Sequence, residues 1–264
     1  MKLNILPIGS CRVHRPFHSS YKGNVYSNVL DEIAVCYPKI GFFHSLKEIE
    51  QALLFLKRGR VFLDGYEHLR EFLFRAEPAR TTPYNVFDKK IISHSDLSFE
   101  IDKVDVLFIE VSSLNYFHHI ESSLSLHWNP NFSINASYGD IYPEGFYSKY
   151  YPELNVEKKK LSFNDVVVIL ENIRKSFPDK LVVVTSHIND SASKTRVELA
   201  NLLKEAVILI GRPDEMVFYD NIEVFKRFGY AFNGKVDVHH LSRVGEQQVG
   251  LDVQNLILKR MLHD

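Results

Sequence analysis

The sequence contains little cysteine: two thiols, Cys11 and Cys36, in 264 residues. Two thiols do not make a disulfide framework, so the chain reads as one suited to a reducing compartment. Long apolar runs are missing as well. No stretch reaches the roughly 18–20 consecutive apolar residues of a membrane span. The apolar opening, residues 3–8, is short and broken by Asn4 and Pro7, unlike the core of a secretory signal. These absences set the expectation of a cytoplasmic protein with no transmembrane segment. Charge of one sign is missing too. At a formal net charge of −1, no basic field advertises nucleic acid or an anionic membrane. No Gly-x-Gly-x-x-Gly or Walker-type loop follows the first apolar run, which argues against dinucleotide binding. Metal binding is not expected either. His94, His118, His119, His127, His187, His239 and His240 form no His-x-x-x-His pair with a carboxylate, and the cysteines show no Cys-x-x-Cys spacing.

What is present is an ordinary globular composition, 45% hydrophobic and 25% charged, in a chain long enough for one large core. Short β-branched runs alternate with helical periodicity, the pattern of a sheet with crossover helices. Residues 3–8 read as a first strand and 104–109 as a buried strand that stops at Glu110. Residues 181–185 read as an interior strand and 216–219 as a further one. Ser45-Leu46-Lys47-Glu48 is a capping box opening a helix to about Lys57, and Ser162 caps another that Pro178 closes. Leu199, Leu202, Leu203 and Ala206 mark a third helix, and a last one runs from about Ser242 to Met261. The expected fold is one α/β domain over residues 1–264: a three-layer α/β/α sandwich, flavodoxin-like, with a mainly parallel sheet of about five strands. Residues 61–100 carry a mixed pattern. Residues 116–160 lack periodicity and are read as an aromatic-rich insertion around the only tryptophan, Trp128. Such a segment suits stacking on sugar rings, sheltering an acyl chain, or building its own apolar cluster or oligomer interface. Within it, Glu157-Lys158-Lys159-Lys160 reads as a solvated approach to the next helix.

Two constellations carry chemistry. The first is Ile8-Gly9-Ser10-Cys11-Arg12, where a strand ends at a glycine and two nucleophile-capable residues follow. In open α/β sheets ligands bind beyond the carboxyl ends of strands, so a reactive side chain is presented there. A helix starting after the turn would aim free N–H groups at it, lowering a thiol pKa or holding an oxyanion. Arg12 adds positive potential. Read alone, the same residues make a tight turn with a capping serine and a small core cysteine. The second constellation is Asp237-Val238-His239-His240, just ahead of the last helix. An Asp three residues before a His can share one turn with it, fix its tautomer, and leave the other ring nitrogen as a general base. Read alone, it is a polar loop with two solvated histidines. His187, after the strongest strand, stands at the same sheet edge as a substrate-contact candidate.

Taken together, the two ends resemble the SGNH or GDSL superfamily of esterases and acyltransferases. The subset with Gly-Ser-Cys turns is nearest, including the GSCFA family and acyltransferase-like proteins of capsule biosynthesis. The resemblance implies Cys11 as nucleophile, with Ser10 as rival, His240 as base and Asp237 as its orienter. The superfamily's Gly-x-Asn-Asp block is absent. The matching strand runs Phe108-Ile109-Glu110-Val111-Ser112-Ser113-Leu114-Asn115, leaving Ser113 or Asn115 as oxyanion donor. Gly41 is the weak counterpart of the second-block glycine. The implied function is acyl transfer to or from a small-molecule or saccharide ester or acceptor. No tightly bound cofactor is implied. An acyl-CoA donor is compatible, as is a homo-oligomer. A non-catalytic carbohydrate- or protein-binding module on the same fold is the competing reading; a nucleic-acid module finds no basic face to support it.

Overall fold

The computed structural model describes residues 3–10, 13–17, 33–36, 43–58, 101–126 and 155–261. In chain order its strands are β1 (Leu3–Ile8), β2 (Ile33–Val35), β3 (Val106–Val111), β4 (Asn115–His119) and β5 (Ser125–Leu126). There follow β6 (Val156–Lys160), β7 (Leu181–Ser186), β8 (Met216–Phe218), β9 (Tyr230–Phe232) and β10 (Val236–Leu241). The helices are α1 (Leu46–Arg58), α2 (Phe163–Ser176), α3 (Lys194–Ile210), α4 (Ile222–Phe228) and α5 (Arg243–Met261).

The most apolar runs form the centre of the sheet. Five strands pair in parallel in the order β2-β1-β3-β7-β8. Every residue of β3 and β7 is buried, because parallel strands covered on both faces have no wet side. The strand's two-residue period sorts their side chains. Leu6, Ile8, Leu107, Ile109, Val182 and Val184 join one core with α1, α2 and α3. Ile5, Val106, Phe108 and Val183 join the other with Val224 of α4 and Val249, Val253 and Ile257 of α5. The result is the expected three-layer α/β/α fold. Strand β2 and helix α4 are too short to leave a periodic signal in the sequence.

The sequence suggests a capping box at Ser45, and the structure forms its forward half. At α1, Ser45 Oγ accepts from the Glu48 N–H at 3.3 Å, while the Glu48 carboxylate accepts from the N–H of His44, one residue before the cap, at 3.0 Å. The cap expected at Ser162 forms as a complete box. At α2, Ser162 Oγ accepts from the Asp165 N–H at 3.2 Å, and Asp165 accepts from the Ser162 N–H at 2.8 Å.

The insertion departs from expectation. Its described residues form a small antiparallel sheet in the order β5-β4-β6. The run Glu157–Lys160 is therefore an edge strand rather than a helix approach. Its register with β4, from Asn115↔Lys160 to His119↔Val156, overrides the poor strand propensity of lysine. On an edge those lysines also discourage further pairing. Buried Gln51 of α1 docks this sheet, donating to the Ser125 carbonyl and accepting from the Ser125 N–H, each at 2.9 Å. Residues 61–100 and 127–154, with Trp128, lie outside the described residues. No helix among the described residues is long and apolar enough to cross a membrane.

Candidate active site

In the strand order above, the chain reverses its progression between β1 and β3. The crevice beyond the carboxyl ends of these two strands is where such sheets take ligands. Four segments converge there. Gly9 has φ +157°, and a Cβ on it would lie 2.4 Å from the Glu110 carbonyl oxygen and 2.9 Å from Glu110 Cβ. Only glycine lets the end of β1 run this close to β3. The Gly9 carbonyl accepts from the Phe43 N–H at 2.7 Å, and the His44 carbonyl accepts from the Ser112 and Ser113 N–H groups at 2.9 Å each. The loop before α1 is thereby stitched to both strands.

At the floor of the crevice Ser10 is fully buried. Its hydroxyl donates to Glu110 Oε1, and the same carboxylate oxygen lies 3.5 Å from His187 Nδ1. A buried carboxylate is costly unless its oxygens are engaged, and these contacts engage it. The Asn221 side chain fixes the turn that carries His187. Its Nδ2 donates to the Ser186 and His187 carbonyls at 2.9 Å each, and its Oδ1 accepts from the Asn189 N–H at 2.8 Å. Ser10 and His187 thus come together as their places in the sequence suggest. Glu110 and Asn221 belong to no motif in the sequence. The available signal was an acid inside the otherwise apolar β3, which continues one residue past it to Val111. A cavity of about 30 Å³, room for one water, is lined by Glu110, His187, Asn221, Leu241 and Glu246.

The second constellation lies on β10 rather than on a turn. Asp237 Oδ2 and His240 Nδ1 are 2.6 Å apart. In a regular strand, residues three apart face opposite sides of the sheet. Here the pairing with β9 jumps from Asp237↔Ala231 to Leu241↔Tyr230, and the irregularity turns both side chains to one side. Because an ionised carboxylate only accepts, the shared proton sits on Nδ1, and in the neutral imidazole Nε2 keeps its lone pair. Asp237 Oδ1 also accepts from the His239 N–H at 3.0 Å. The hydrogen bond from His240, followed by that backbone bond, holds the Asp237 carboxyl below the usual carboxylate range. A quarter of the His240 side chain is exposed, so the ring can be reached.

The two ends of the chain touch. The Val13 N–H donates to the Ser10 carbonyl at 3.1 Å, and a single 3₁₀ turn follows at Arg15–Phe17, where the sequence suggested a helix. This turn lies on α5. A Cβ on Gly250 would be 2.2 Å from the Pro16 carbonyl oxygen, and Arg15 Nη1 lies 2.8 Å from buried Glu246. Phe17 packs edge-on to Phe108, ring centroids 5.2 Å apart. Leu241, next to His240, lines the cavity that Glu110 and His187 share. Cys11, Arg12 and Gly41 lie outside the described residues.

The oxyanion candidates sit at the β3–β4 turn. Ser113 Oγ accepts from the Asn115 N–H at 2.9 Å and lies 3.3 Å from the Asn115 carbonyl, so its hydroxyl closes the turn. The Asn115 residue is exposed. Beside them, His44 Nδ1 lies 3.1 Å from Ser112 Oγ, a contact with no motif to announce it. Among the described residues no three His, Cys, Asp or Glu side chains converge as a metal-ion site.

Residues 3–128 match the family model described as the TviD N-terminal domain, a family related to Vi capsule polysaccharide biosynthesis. The matched stretch includes β1, the sequence Gly9-Ser10-Cys11, α1 and β3, and ends before the strand that carries Asp237 and His240. No curated protein matches the chain.

Proposed function

We propose that this protein is an acyl-transfer enzyme, an esterase or O-acyltransferase for carbohydrate-linked acyl groups, working through a covalent intermediate on Cys11. The observation that carries the reading is the Asp237–His240 pair at the head of the helix on which the segment following Cys11 rests. The family match supports a saccharide as substrate or acceptor.

His240 Nε2 takes the proton from the Cys11 thiol, and the thiolate attacks the carbonyl carbon of an ester or thioester, such as an acyl-CoA. The Asp237 carboxylate stabilises the resulting imidazolium and holds its tautomer. The tetrahedral oxyanion takes donors from the Cys11 N–H and from Asn115 or Ser113, with the Arg12 charge nearby. On collapse the carbonyl re-forms, the leaving alkoxide or thiolate takes the proton from His240, and Cys11 holds the acyl group as a thioester. Water or a sugar hydroxyl then gives its proton to His240 and attacks that thioester. The second collapse returns the proton to Cys11 and releases acid or acylated sugar. His187, at the edge of the crevice, is the further substrate contact this reading assigns, with Gly41 as the weaker candidate. Ser10 is the less suitable nucleophile, because its hydroxyl is buried against Glu110.

Intact-mass and peptide mass spectrometry after incubation with an aryl acetate or an acetyl thioester tests this reading. An acetyl group on the Cys11 peptide is expected in wild type and in Ser10→Ala, and none in Cys11→Ala. Turnover of these substrates, or acyl-enzyme formation, that is unchanged in Cys11→Ala and His240→Ala would overturn it in favour of a binding module.

A further inference from the structure

The strand that carries the dyad is poorly held by its own sheet. Among the described residues strands β9 and β10 pair only with each other, and a two-stranded ribbon is marginal on its own. The pairing also skips residues 238–240, the stretch that ends at His240. Something outside the ladder must set this stretch.

From the geometry we infer that Arg196, Tyr230 and Asp190 form a latch that positions the Asp237–His240 pair; the latch's catalytic meaning rests on the acyl-transfer reading. Arg196, in the first turn of α3, donates from Nη2 to the Val238 carbonyl and from Nη1 to the Tyr230 hydroxyl, both at 2.7 Å. The first bond falls inside the skipped stretch, between Asp237 and His240. The second reaches β9 at the residue paired with Leu241. One planar guanidinium thus grips both strands of the ribbon, and it also lies 5.5 Å from the centre of the Tyr230 ring. The Tyr230 hydroxyl in turn donates to Asp190 Oδ2. Asp190 is fixed by the turn that follows β7, where its other oxygen accepts from the Ala192 N–H at 2.8 Å. Phe225 of α4 packs edge-on to the same ring, the two centroids 4.8 Å apart. The chain of contacts runs from the turn beyond His187 to the backbone between Asp237 and His240.

A lysine cannot replace the arginine. An ammonium is a point donor on a flexible stem, whereas the guanidinium presents two parallel N–H groups in a fixed fork. A latch made of position rather than charge therefore fails in Arg196→Lys as it does in Arg196→Ala.

The test is proton NMR of the full-length protein together with the alkylation rate of Cys11, measured for wild type, Arg196→Ala, Arg196→Lys, Tyr230→Phe and His240→Ala. The downfield resonance of the His240 Nδ1–H, donated to Asp237, is expected in wild type. It is expected to broaden or vanish in both Arg196 variants, with alkylation slowed by about ten- to a hundred-fold, the scale of a 1 Å misplacement. Tyr230→Phe should fall between. A His240 resonance and alkylation rate unchanged in Arg196→Ala would overturn the latch. Recovery to wild-type values in Arg196→Lys would overturn the positional argument in favour of simple charge. If His240→Ala itself alkylates at the wild-type rate, the acyl-transfer reading falls, while the resonance still decides whether the latch sets the pair.

Discussion

Replacing Gly250 by alanine probes the contact between the two ends of the chain without touching a reactive group. The added methyl would lie 2.2 Å from the Pro16 carbonyl oxygen, whereas ordinary contact begins near 3.4 Å. The turn at Arg15–Phe17 must therefore back away from α5 by about 1 Å, a shift of the size that misaligns a near-attack geometry. The helix itself gains, because alanine is favoured over glycine in a helix interior by about 0.5–1 kcal/mol. Forcing a methyl against packed backbone costs about 1–3 kcal/mol. The net loss of stability should be at most about 2.5 kcal/mol, a small part of the ~5–15 kcal/mol of a typical domain. The loss of reactivity should be larger, on the order of 100-fold, or about 2.7 kcal/mol in the barrier. Urea denaturation gives the first quantity, and the rate of Cys11 alkylation, followed on its own peptide to exclude Cys36, gives the second. A Gly250→Ala protein with the expected stability and an unchanged alkylation rate would refute the claim that α5 sets the position of the nucleophile turn.

Asp237→Asn should leave the fold intact and lower acyl-enzyme formation by about 10²–10⁴-fold, since the amide no longer enforces the productive tautomer; stopped-flow with an aryl ester checks it. Ser10→Ala should cost about 1–3 kcal/mol in urea unfolding by removing a donor from buried Glu110, while acylation of Cys11 persists. Leu53→Ala, at a fully buried position of α1, should cost about 2–5 kcal/mol without altering the pH profile of the site. The Tyr230–Asp190 bond carries its own pH window. Burial and that bond push the Tyr230 hydroxyl up to about 12, so its contribution is complete below the ordinary tyrosine value of about 10 and lost as pH rises through about 12. The same bond, ahead of all other causes, holds the Asp190 carboxyl below its ordinary 3.8, so this contribution is present above that value and lost as pH falls further. The stability difference between wild type and Tyr230→Phe should be flat from about pH 5 to 9 and shrink outside it; a difference that changes between pH 5 and 9 would contradict the assignment.

The fold was legible where burial is complete. The runs of β3 and β7 and the helix caps at Ser45 and Ser162 are signals internal to one segment, and each formed as its own chemistry dictates. What escaped depends on segments meeting. Lys158–Lys160 read as the approach to a helix, rather than as a strand, because nothing local reveals that β4 will pair with it. Asp237 and His240 read as a pair from their spacing alone, but their place on a strand does not, because the irregular pairing that brings them to one side depends on β9. Glu110 read as the end of a strand because a lone acid in an apolar run looks like a stop. Its burial makes sense only once Ser10 and His187 arrive from elsewhere in the chain. Arg196 and Tyr230 belong to no motif, and their role rests on the backbone oxygen of Val238.

The central claim is that the Cys11 thiol and the His240 imidazole exchange a proton. The most direct measurement is the pH dependence of Cys11 alkylation in wild type and in His240→Ala. In wild type the rate should titrate below the ordinary thiol value of about 8.5, and in His240→Ala it should move back toward that value. Superimposable profiles in the two proteins would contradict the account.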